Sequence, residues 1–407
     1  MVAPRQISAA DVVSVSQPRS VCNHADVGQP NLSSGGSTQY SFRVPYVALS
    51  DFVAPRLLFS NTQITASGEI TPADAITVKA AWEAADGTIY PVTFGGSRTY
   101  LLAAGTEVEC DPIPVRVASG ASFFVRTRPQ VDTLGKKWIT GGAALKGTVS
   151  GGGGQAGDVI DTATAASFNG ALVPFQPVAI RGRSTGSIRP ATVLLHGSSS
   201  VYGSGDVSDD AGNYGAFARA ASLAKLPHVR MAAAGWSLSG MLGSTATNMM
   251  TNTAYQRRII DMINASFVVA QMSPNDLYNA GTTLATLQGF LMRYWDFMAG
   301  FGLPIVATTW HIRTTSTDAW TTTANQTVNS QLSVQQAVNA WIKTKPHSAI
   351  IGALDYNACL EDPSNLGKWR IDGGPWTDDG IHSNAYGSVQ SAVVMAPVLA
   401  ALAKLAI

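Results

Sequence analysis

Near the C-terminus a carboxylate and an imidazole lie three residues apart, at Asp379 and His382. At this spacing the carboxylate can orient the imidazole, which then acts as a general base. Hydroxyl groups that such a base could activate occur in the Gly-Ser-Ser-Ser run of residues 197–200. A serine in a glycine-flanked turn can expose its hydroxyl, and backbone N–H groups of the turn can face an oxyanion. These residue types predict acyl transfer through a serine nucleophile, although such a turn taken alone is also a common structural feature.

Two further segments carry groups that could bind an oxyanion. Gly235 follows an apolar stretch and offers an unhindered backbone N–H, and Asn275 offers a side-chain amide. Each has a structural alternative, because Gly235 can serve a tight turn and Asn275 or Asp276 can cap the following helix. From these residues alone, both alternatives stay open.

All these groups except the Asp379–His382 pair directly follow short apolar stretches that are typical of buried parallel strands. From about residue 186 such stretches alternate with segments of helical spacing. The predicted strands are residues 192–195, 229–234, 267–270, 304–307 and 349–354. The predicted helices are residues 213–225, 255–263, 284–295 and 334–341, with a last helix from about 385. The sequence therefore predicts a parallel sheet covered on both faces, with reactive groups gathered beyond the carboxyl ends of its strands.

The first part of the chain follows a different pattern. Residues 1–37 are polar and interrupted by proline and glycine, which is typical of an extended arm. Residues 38–185 contain short β-branched and aromatic runs separated by turn signals, which predicts a β-sandwich or jelly-roll domain. The clearest predicted strands are residues 40–47, 75–82, 88–94 and 122–127. The glycines at 151–154 are predicted to form a flexible loop, and no Lys-Ser/Thr follows them as in a phosphate-binding loop.

Taken together and in this order, the chemical segments resemble the SGNH/GDSL family of serine esterases. The resemblance places the nucleophile at Ser199, with His382 as the base and Asp379 as its carboxylate. It places the oxyanion donors at the N–H groups of Ser199 and Gly235 and at the amide of Asn275. It also implies a three-layer α/β/α fold with a flavodoxin-like parallel sheet, and a reaction that needs neither a metal nor an organic cofactor.

The resemblance covers residues 186–407, and two positions within it depart from the family pattern. Ser198 stands where the family has an aspartate, and Ser273 stands where it has a glycine. Neither position belongs to the triad, so the predicted chemistry is retained. The first departure leaves Ser198 and Ser200 as neighbouring candidates for the nucleophile.

Several aromatic and polar side chains near the predicted strand ends bear on the substrate. The aromatic ones, which can stack on sugar rings or belong to the core, are Tyr202, Trp236, Tyr278, Trp310, Trp320 and Trp376. His311 and Arg313 can contact a polar substrate or form a surface ion pair. We take Tyr202, Trp236, Trp310 and His311 as the candidate substrate contacts.

An aromatic rim with an attached β-domain resembles the family members that remove O-acetyl groups from polysaccharides. The leading hypothesis is therefore a carbohydrate O-acetylesterase whose β-domain binds the glycan or serves assembly. Its expected substrate is an acetylated glycan or another small ester. The alternative is a glycan-binding virion or surface adhesin with a catalytically silent esterase-like domain. Association with further copies of the chain, or with a larger particle, is compatible with both.

The composition narrows the classes of partner. The 407 residues include 27 Lys and Arg against 26 Asp and Glu, and only 13% are charged, compared with roughly 25% in an average protein. A chain with a net charge of +1 has no basic field for a polyphosphate, so nucleic-acid binding is disfavoured. With 45% hydrophobic residues the chain can bury a large core, which disfavours disorder. A neutral or weakly charged glycan fits this composition best.

The termini and cysteines carry weaker signals. The first residues show no signal peptide, and the low charge favours an extracellular or virion-associated protein over a cytoplasmic one. The apolar stretch 391–407 is shorter than the roughly 20 residues of a membrane span, so a terminal helix packed on the core is expected and membrane insertion is not. Cys22, Cys110 and Cys359 do not form a zinc motif, while a Cys22–Cys110 bridge stays open.

Overall fold

The computed structural model describes residues 19–23, 25–26, 31–65, 68–141, 153–162, 168, 173–185, 190–242, 264–272 and 274–406. The helix predicted at 255–263 and the departure at Ser273 lie outside the described residues, as do residues 1–18 of the predicted arm. Within the described ranges, an all-β unit precedes an α/β unit.

The strands that precede the α/β unit are mostly short. In chain order they are β1 (Arg19–Ser20), β2 (Ala25–Asp26), β3 (Asn31–Leu32), β4 (Tyr40–Val47), β5 (Phe52–Ser60), β6 (Gln63–Thr65), β7 (Gly68–Ile70), β8 (Ile76–Glu83), β9 (Ile89–Pro91), β10 (Thr99–Leu102), β11 (Glu107–Glu109), β12 (Arg116–Val117), β13 (Ser122–Gln130), β14 (Ile139–Thr140), β15 (Gly153–Ala156) and β16 (Ala179–Ser184). The predicted strand at 40–47 matches β4, and the run predicted at 122–127 extends further as β13.

Most of these strands form two antiparallel sheets. One sheet has the order β1-β16-β5-β11, with β12 also paired to β5. The other has the order β10-β8-β13-β4-β15, with β9 also paired to β8. One hydrophobic cluster contains inward residues of both sheets, so the two pack face to face. The predicted β-sandwich is therefore confirmed.

An aromatic cluster joins the two sheets of the sandwich. Trp82 of β8 stacks on Phe123 of β13, with ring centroids 4.1 Å apart. Phe52 of the opposite sheet meets both rings edge-on, at 6.3 Å from Trp82 and 6.2 Å from Phe123. Such edge-to-face and stacked pairs stabilise a core beyond the area that they bury.

Part of the predicted glycine loop is a strand. Gly153 and Gly154 belong to β15 and pair with Arg43 and Phe42 of β4. The prediction was wrong for these two residues, because pairing at a sheet edge outweighed the low strand propensity of glycine.

The α/β unit alternates strands and helices as the sequence predicts. In chain order its elements are β17 (Val193–Gly197), α1 (Ser199–Tyr202), α2 (Ala216–Leu223), β18 (His228–Ala232), α3 (Leu238–Leu242), β19 (Phe267–Gln271), α4 (Pro274–Ala280), α5 (Leu284–Ala299), β20 (Ile305–Thr308), β21 (Thr314–Ser316), β22 (Gln326–Val328), α6 (Leu332–Lys343), β23 (Ile350–Leu354), α7 (Tyr356–Leu360) and α8 (Ala385–Ala403).

The main sheet of this unit is parallel throughout, in the order β2-β18-β17-β19-β20-β23. Apart from β2 at its edge, this is the 2-1-3-4-5 order of flavodoxin-like folds. Side chains alternate between two core clusters: Leu194 of β17 faces the layer of α3, α5 and α6, whereas Val193 and Leu195 face α2 and α8. The predicted three-layer α/β/α fold is confirmed.

Helix α8 is, among the described residues, long and apolar enough to cross a membrane by length and composition. In the structure, Ser391, Met395 and Leu399 lie on its inner face and are buried. The helix packs against α2 and β23, as expected for a terminal helix on the core.

Residues 19–26 connect the two units and do not form a separate arm. Strand β1 pairs with β16 in the sandwich, whereas β2 pairs with β18 at the edge of the parallel sheet. The side chain of Asn23, between them, accepts a hydrogen bond from the Val47 N–H at 2.6 Å and donates to the Ala211 carbonyl at 2.7 Å. Among the described residues, the segment before residue 37 therefore pairs with strands of both units.

The three cysteines are buried and free, so Cys22 and Cys110 are not bonded to each other in this structure. The Cys110 sulfur instead accepts a hydrogen bond from the Leu57 N–H at 3.0 Å.

Candidate active site

The turn that carries Ser199 requires a glycine as the last residue of the preceding strand, β17. A Cβ atom at Gly197 would lie 2.5 Å from the Gln271 carbonyl oxygen of the neighbouring strand and 2.5 Å from Cγ2 of Val201. Because Gly197 has no side chain, the end of β17 can lie close to both the neighbouring strand and α1, which begins at Ser199. The backbone N–H of Ser199 is in the first turn and has no partner within the helix.

The three consecutive serines differ in their surroundings. Ser198 is fully buried, and its hydroxyl lies 3.5 Å from Oε1 of Gln271, beneath the turn. The hydroxyl of Ser200 is buried and forms no hydrogen bond within the described residues. Ser199 is 7% exposed, and its backbone carbonyl accepts hydrogen bonds from Gly203 and Ser204. Its hydroxyl makes no hydrogen bond among the described residues.

The structure brings the predicted carboxylate and imidazole together. Nδ1 of His382 lies 2.7 Å from Oδ2 of Asp379, and Oδ1 of Asp379 accepts from the N–H groups of Ile381 and His382, each at 2.7 Å. Burial by itself would raise the pKa of Asp379, but these hydrogen bonds outweigh it and hold the pKa well below the usual value. Asp379 is therefore an anion at neutral pH, and Nδ1 of His382 carries the proton of their hydrogen bond. The second ring nitrogen, Nε2, is left as the basic one.

The loop with His382 packs against the turn that follows Ser199. Gly205 has φ of +87°, and a Cβ atom there would lie 3.0 Å from Cβ of His382 and 2.8 Å from the Ser383 carbonyl oxygen. This close approach brings the base to the neighbourhood of the nucleophile turn. No hydrogen bond joins the imidazole to the Ser199 hydroxyl within the described residues.

The two predicted oxyanion segments are hydrogen-bonded to each other. Gly235 adopts φ of +84°, which a residue with a side chain rarely tolerates. Next to it, the Trp236 carbonyl accepts a hydrogen bond from Nδ2 of Asn275 at 2.8 Å. Asn275 is 6% exposed at the start of α4, directly beyond the end of β19. These two segments therefore occupy a fixed position relative to each other.

Asp276 forms a second connection between these segments. Its buried carboxylate accepts hydrogen bonds from the N–H groups of Leu238 (2.6 Å) and Ser239 (3.0 Å) at the start of α3. Asp276 therefore caps α3, which precedes it in the chain, and not the following helix as the structural alternative predicted.

Arg313 has a contact that the sequence did not reveal. Its guanidinium donates to Oδ1 of Asn275 at 2.7 Å and lies 4.7 Å from the centre of the Tyr278 ring. This contact is neither the substrate contact nor the surface ion pair that the sequence predicts for Arg313. Two features of the sequence single out Arg313: no other lysine or arginine occurs between Arg293 and Lys343, and Arg313 closely follows a predicted strand.

Two of the candidate substrate contacts are indole rings in the core. Trp236 and Trp310 are 1% and 0% exposed. Their indole N–H groups donate to the carbonyl oxygens of Thr65 (2.9 Å) and Met272 (2.6 Å). Neither ring presents a face on which a sugar could stack, so the structure corrects these assignments to the core alternative. Trp376, from the wider aromatic set, is 5% exposed and is also core.

The other two candidates differ. His311 is 1% exposed, and its Nε2 donates to the Ile381 carbonyl at 2.7 Å, next to the predicted base. Burial lowers the pKa of His311 to about 3, with smaller contributions from the nearby Arg313 and His382. This neutral, buried ring supports the His382 loop. Tyr202 is partly buried beside the ring of Tyr214, and of the four candidates it alone keeps accessible surface.

A surface pocket of about 250 Å³ lies beside Asp379 of the candidate triad. It is lined by Tyr278, Arg313, Thr314, Thr315, Thr327, Val328, Asn329, Asp379 and Ile381. The pocket offers hydroxyl, amide and carboxylate groups near the triad. Among the described residues, no group of three His, Cys, Asp or Glu side chains could hold a metal ion.

The structure is similar to several solved structures. One is a carbohydrate esterase family 2 enzyme with a carbohydrate-binding domain from Corynascus thermopiles (Myceliophthora fergusii), which is 14% identical, with 92% of this chain and 98% of that chain covered and a TM-score of 0.40. Another is a GDSL-like lipase from Bacteroides thetaiotaomicron, 14% identical, with 53% and 88% covered and a TM-score of 0.35. A third is a salicylyl-acyltransferase from a tetracycline biosynthetic pathway, 13% identical, with 100% and 99% covered and a TM-score of 0.34.

No protein-family model matches the sequence, and no curated protein matches it. We therefore base the chemistry on the residues of this chain.

Proposed function

We propose that this protein is a serine esterase that removes an acyl group, most simply O-acetyl, from a carbohydrate. The observation that carries the proposal is the Asp379–His382 pair, joined at 2.7 Å and packed against the turn that follows Ser199. A carboxylate that orients an imidazole beside a serine turn is the arrangement of nucleophilic acyl transfer.

In the proposed reaction, Nε2 of His382 takes the proton of the Ser199 hydroxyl while its oxygen bonds to the ester carbonyl carbon. The resulting oxyanion accepts hydrogen bonds from the N–H groups of Ser199 and Gly235 and from the amide of Asn275. The C–O bond to the alcohol then breaks, and His382 gives its proton to the leaving oxygen. Water then attacks the carbonyl carbon of the acyl-enzyme and passes a proton to His382. As the bond from that carbon to the Ser199 oxygen breaks, His382 returns the proton to this oxygen, and the acid and the free serine are released.

The surroundings of the site support a small acyl group on a polar alcohol. Of the nine residues that line the pocket beside Asp379, three are threonines and one is an asparagine, and these side chains suit the hydroxyl groups of a sugar. Ser199 is only 7% exposed, which favours a short acyl chain over a long one.

The test is hydrolysis of p-nitrophenyl acetate by the wild type and by Ser199→Ala, followed by acetate release from acetylated xylan, pectin and sialosides. We expect the wild type to turn over and the variant to lose at least about 10³-fold in kcat. Equal rates in the two proteins would contradict the assignment of Ser199. Rapid hydrolysis of long-chain esters without acetate release from any glycan would contradict the substrate class.

A catalytically silent glycan-binding protein is the second candidate. The observation in its favour is that the Ser199 hydroxyl forms no hydrogen bond to His382 within the described residues. Binding of an acetylated glycan by the full chain, with no acetate released over hours, would support this candidate.

A further inference from the structure

We infer that Arg313 is a positioning residue that fixes the orientation of the Asn275 amide, so that one of its N–H groups faces the oxyanion. This inference rests on the proposed function. It extends it by assigning a role in the reaction to a residue that does not touch the substrate.

The two hydrogen bonds of the Asn275 side chain engage Oδ1 and one of the two N–H groups of Nδ2. Its Oδ1 accepts from the Arg313 guanidinium at 2.7 Å, and one N–H of Nδ2 donates to the Trp236 carbonyl at 2.8 Å. An amide has two N–H donors, so a single donor is left for the substrate. That donor is at the edge of the sheet where the Gly235 segment and Ser199 also lie.

Arg313 excludes the opposite orientation of the amide. A half-turn of the side chain would bring its NH₂ group against the guanidinium, which has donors and no acceptor. It would also bring Oδ1 against the Trp236 carbonyl oxygen, so both hydrogen bonds would be lost. A partly buried polar group that loses its partner costs about 1–3 kcal/mol, which is enough to make the observed orientation dominant.

The guanidinium is itself held in place. It lies 4.7 Å from the centre of the Tyr278 ring, and the Tyr278 hydroxyl donates to the His311 carbonyl at 3.2 Å. The ring of His311 donates to the Ile381 carbonyl, one residue before the candidate base. The segment after β20 therefore contacts both the oxyanion side and the base side of the site.

A charged donor on Oδ1 also strengthens the amide as a donor. Hydrogen bonds in series polarise one another, and those that involve an ion are stronger than neutral ones. We therefore expect loss of Arg313 to lower transition-state stabilisation more than ground-state binding. The fall in kcat caused by loss of Arg313 cannot exceed the fall caused by removal of the Asn275 amide, which is expected to be about 10²–10³-fold.

The test is a double-mutant cycle of Arg313→Met and Asn275→Ala, with hydrolysis of p-nitrophenyl acetate as the readout. We expect Arg313→Met to lower kcat by roughly 10- to 100-fold, with KM changed less than about 3-fold. In the Asn275→Ala background the same change should lower kcat by less than about 2-fold, because its target is gone. Arg313→Lys, which keeps one charged donor, should recover part of the loss.

Arg370→Met is the matched control, because that guanidinium lies 5.4 Å from the Trp376 ring and donates no hydrogen bond to Asn275. Its kcat should stay within 2-fold of the wild type. Thermal melting of each variant separates loss of fold from loss of positioning, and Arg313→Lys replaces Arg313→Met if the latter does not fold.

Two results would overturn the inference while leaving the proposed function intact. One is wild-type kcat in Arg313→Met with a strong loss in Asn275→Ala. The other is losses that multiply in the double variant. An undiminished rate in Ser199→Ala would instead contradict the proposed function, so the two failures are distinguishable.

Discussion

At the residue scale, the candidate site is held mainly by hydrogen bonds between side chains and backbone. Asp379 binds two backbone N–H groups besides the His382 ring, and Asp276 binds two at the start of α3. Asn275 binds the Trp236 carbonyl. Such bonds fix the geometry before substrate arrives, which is what preorganised oxyanion stabilisation requires.

Replacement of the Asn275 side chain tests its role in the oxyanion site. Asn275→Ala removes one of three proposed donors, so we expect kcat to fall by about 10²–10³-fold with a small change in KM. Steady-state hydrolysis of p-nitrophenyl acetate measures both constants. Asn365→Ala is the control, since Asn365 is exposed and its side chain donates to the nearby Asp362. A rise in KM with unchanged kcat would instead assign Asn275 to substrate binding.

The buried histidines predict how stability depends on pH. Burial lowers the pKa of His196 and His311 to about 3, compared with 6.5 for an unperturbed histidine. Between those pH values the unfolded chain binds more protons than the folded one. The free energy of unfolding is therefore unaffected by these rings above about pH 6.5 and decreases as the pH falls below it. The slope is about 1.4 kcal/mol per pH unit for each ring, or about 4 kcal/mol in total at pH 5.

Urea unfolding at pH 7 and pH 5 measures this dependence. His311→Gln keeps an N–H that can reach the Ile381 carbonyl and does not titrate, so it should remove about half of the slope. Equal free energies of unfolding at the two pH values would show that these rings titrate normally.

The contact between Asp379 and His382 could be predicted from the sequence because the two residues are three positions apart in one loop. The sequence could not predict the burial of Trp236 and Trp310, which depends on partners far along the chain. The Thr65 carbonyl that binds Trp236 is in the other unit, 171 residues away. The contact between Arg313 and Asn275 also joins segments that are 38 residues apart. The sequence shows that each side chain can form hydrogen bonds, but it does not show that they bond to each other.

At the element scale, close backbone approaches determine where the loops of the site can lie. Gly197 lets β17 pass beneath α1, and Gly205 lets the turn after α1 meet the His382 loop. In both places an added Cβ atom would meet a backbone carbonyl at 2.8 Å or less. The two loops of the proposed triad are therefore positioned by glycines that bear no chemistry.

Gly205→Ala tests this positioning. A positive φ is strained for alanine, and its Cβ would press on the His382–Ser383 backbone, so we expect kcat to fall about 10-fold or more and the melting temperature to drop. Gly289→Ala is the matched control, because that glycine is on the exposed side of α5 with no atom near its Cβ position. It should stabilise the protein by up to about 1 kcal/mol. Wild-type kcat in Gly205→Ala would show that the contact does not position the base.

Elements with strong local patterns were predictable, and weakly patterned ones were not. Strand β4 matches its predicted range because an aromatic or β-branched side chain recurs at every second residue from Tyr40 to Tyr46. Strand β15 was missed because glycine carries no strand signal, and β2 was missed because two residues show no periodicity. Both are fixed by pairing with distant strands.

At the scale of the whole molecule, the all-β unit contributes directly to the environment of the oxyanion segment, through the β6-β7 pair. Ile64 of β6 belongs to the same core cluster as Trp236, and the Thr65 carbonyl accepts the Trp236 indole N–H. The Gly235 segment is thus supported from both units. A role for the sandwich in holding the site is compatible with a role in glycan binding or assembly.

Asn23→Ala tests the coupling between the two units. Asn23 is fully buried and bonds to the sandwich at Val47 and to the α/β unit at Ala211 and Asn213. We expect a loss of about 1–3 kcal/mol in the free energy of unfolding, because buried partners lose their hydrogen bonds. Asn31→Ala, at an exposed asparagine that bonds only within the β-unit, should change stability by less than about 0.5 kcal/mol. Unchanged stability in Asn23→Ala would show that the units are held by other contacts.

The most direct test of the central claim is covalent labelling with a fluorophosphonate, followed by peptide mass spectrometry. Such a reagent reacts with a serine that an adjacent base activates. We predict one phosphonyl group on Ser199, absent in Ser199→Ala and strongly slowed in His382→Ala. A label on Ser198 or Ser200, or no label on the folded wild type under conditions that modify a serine esterase control, would contradict the assignment of Ser199 as the nucleophile.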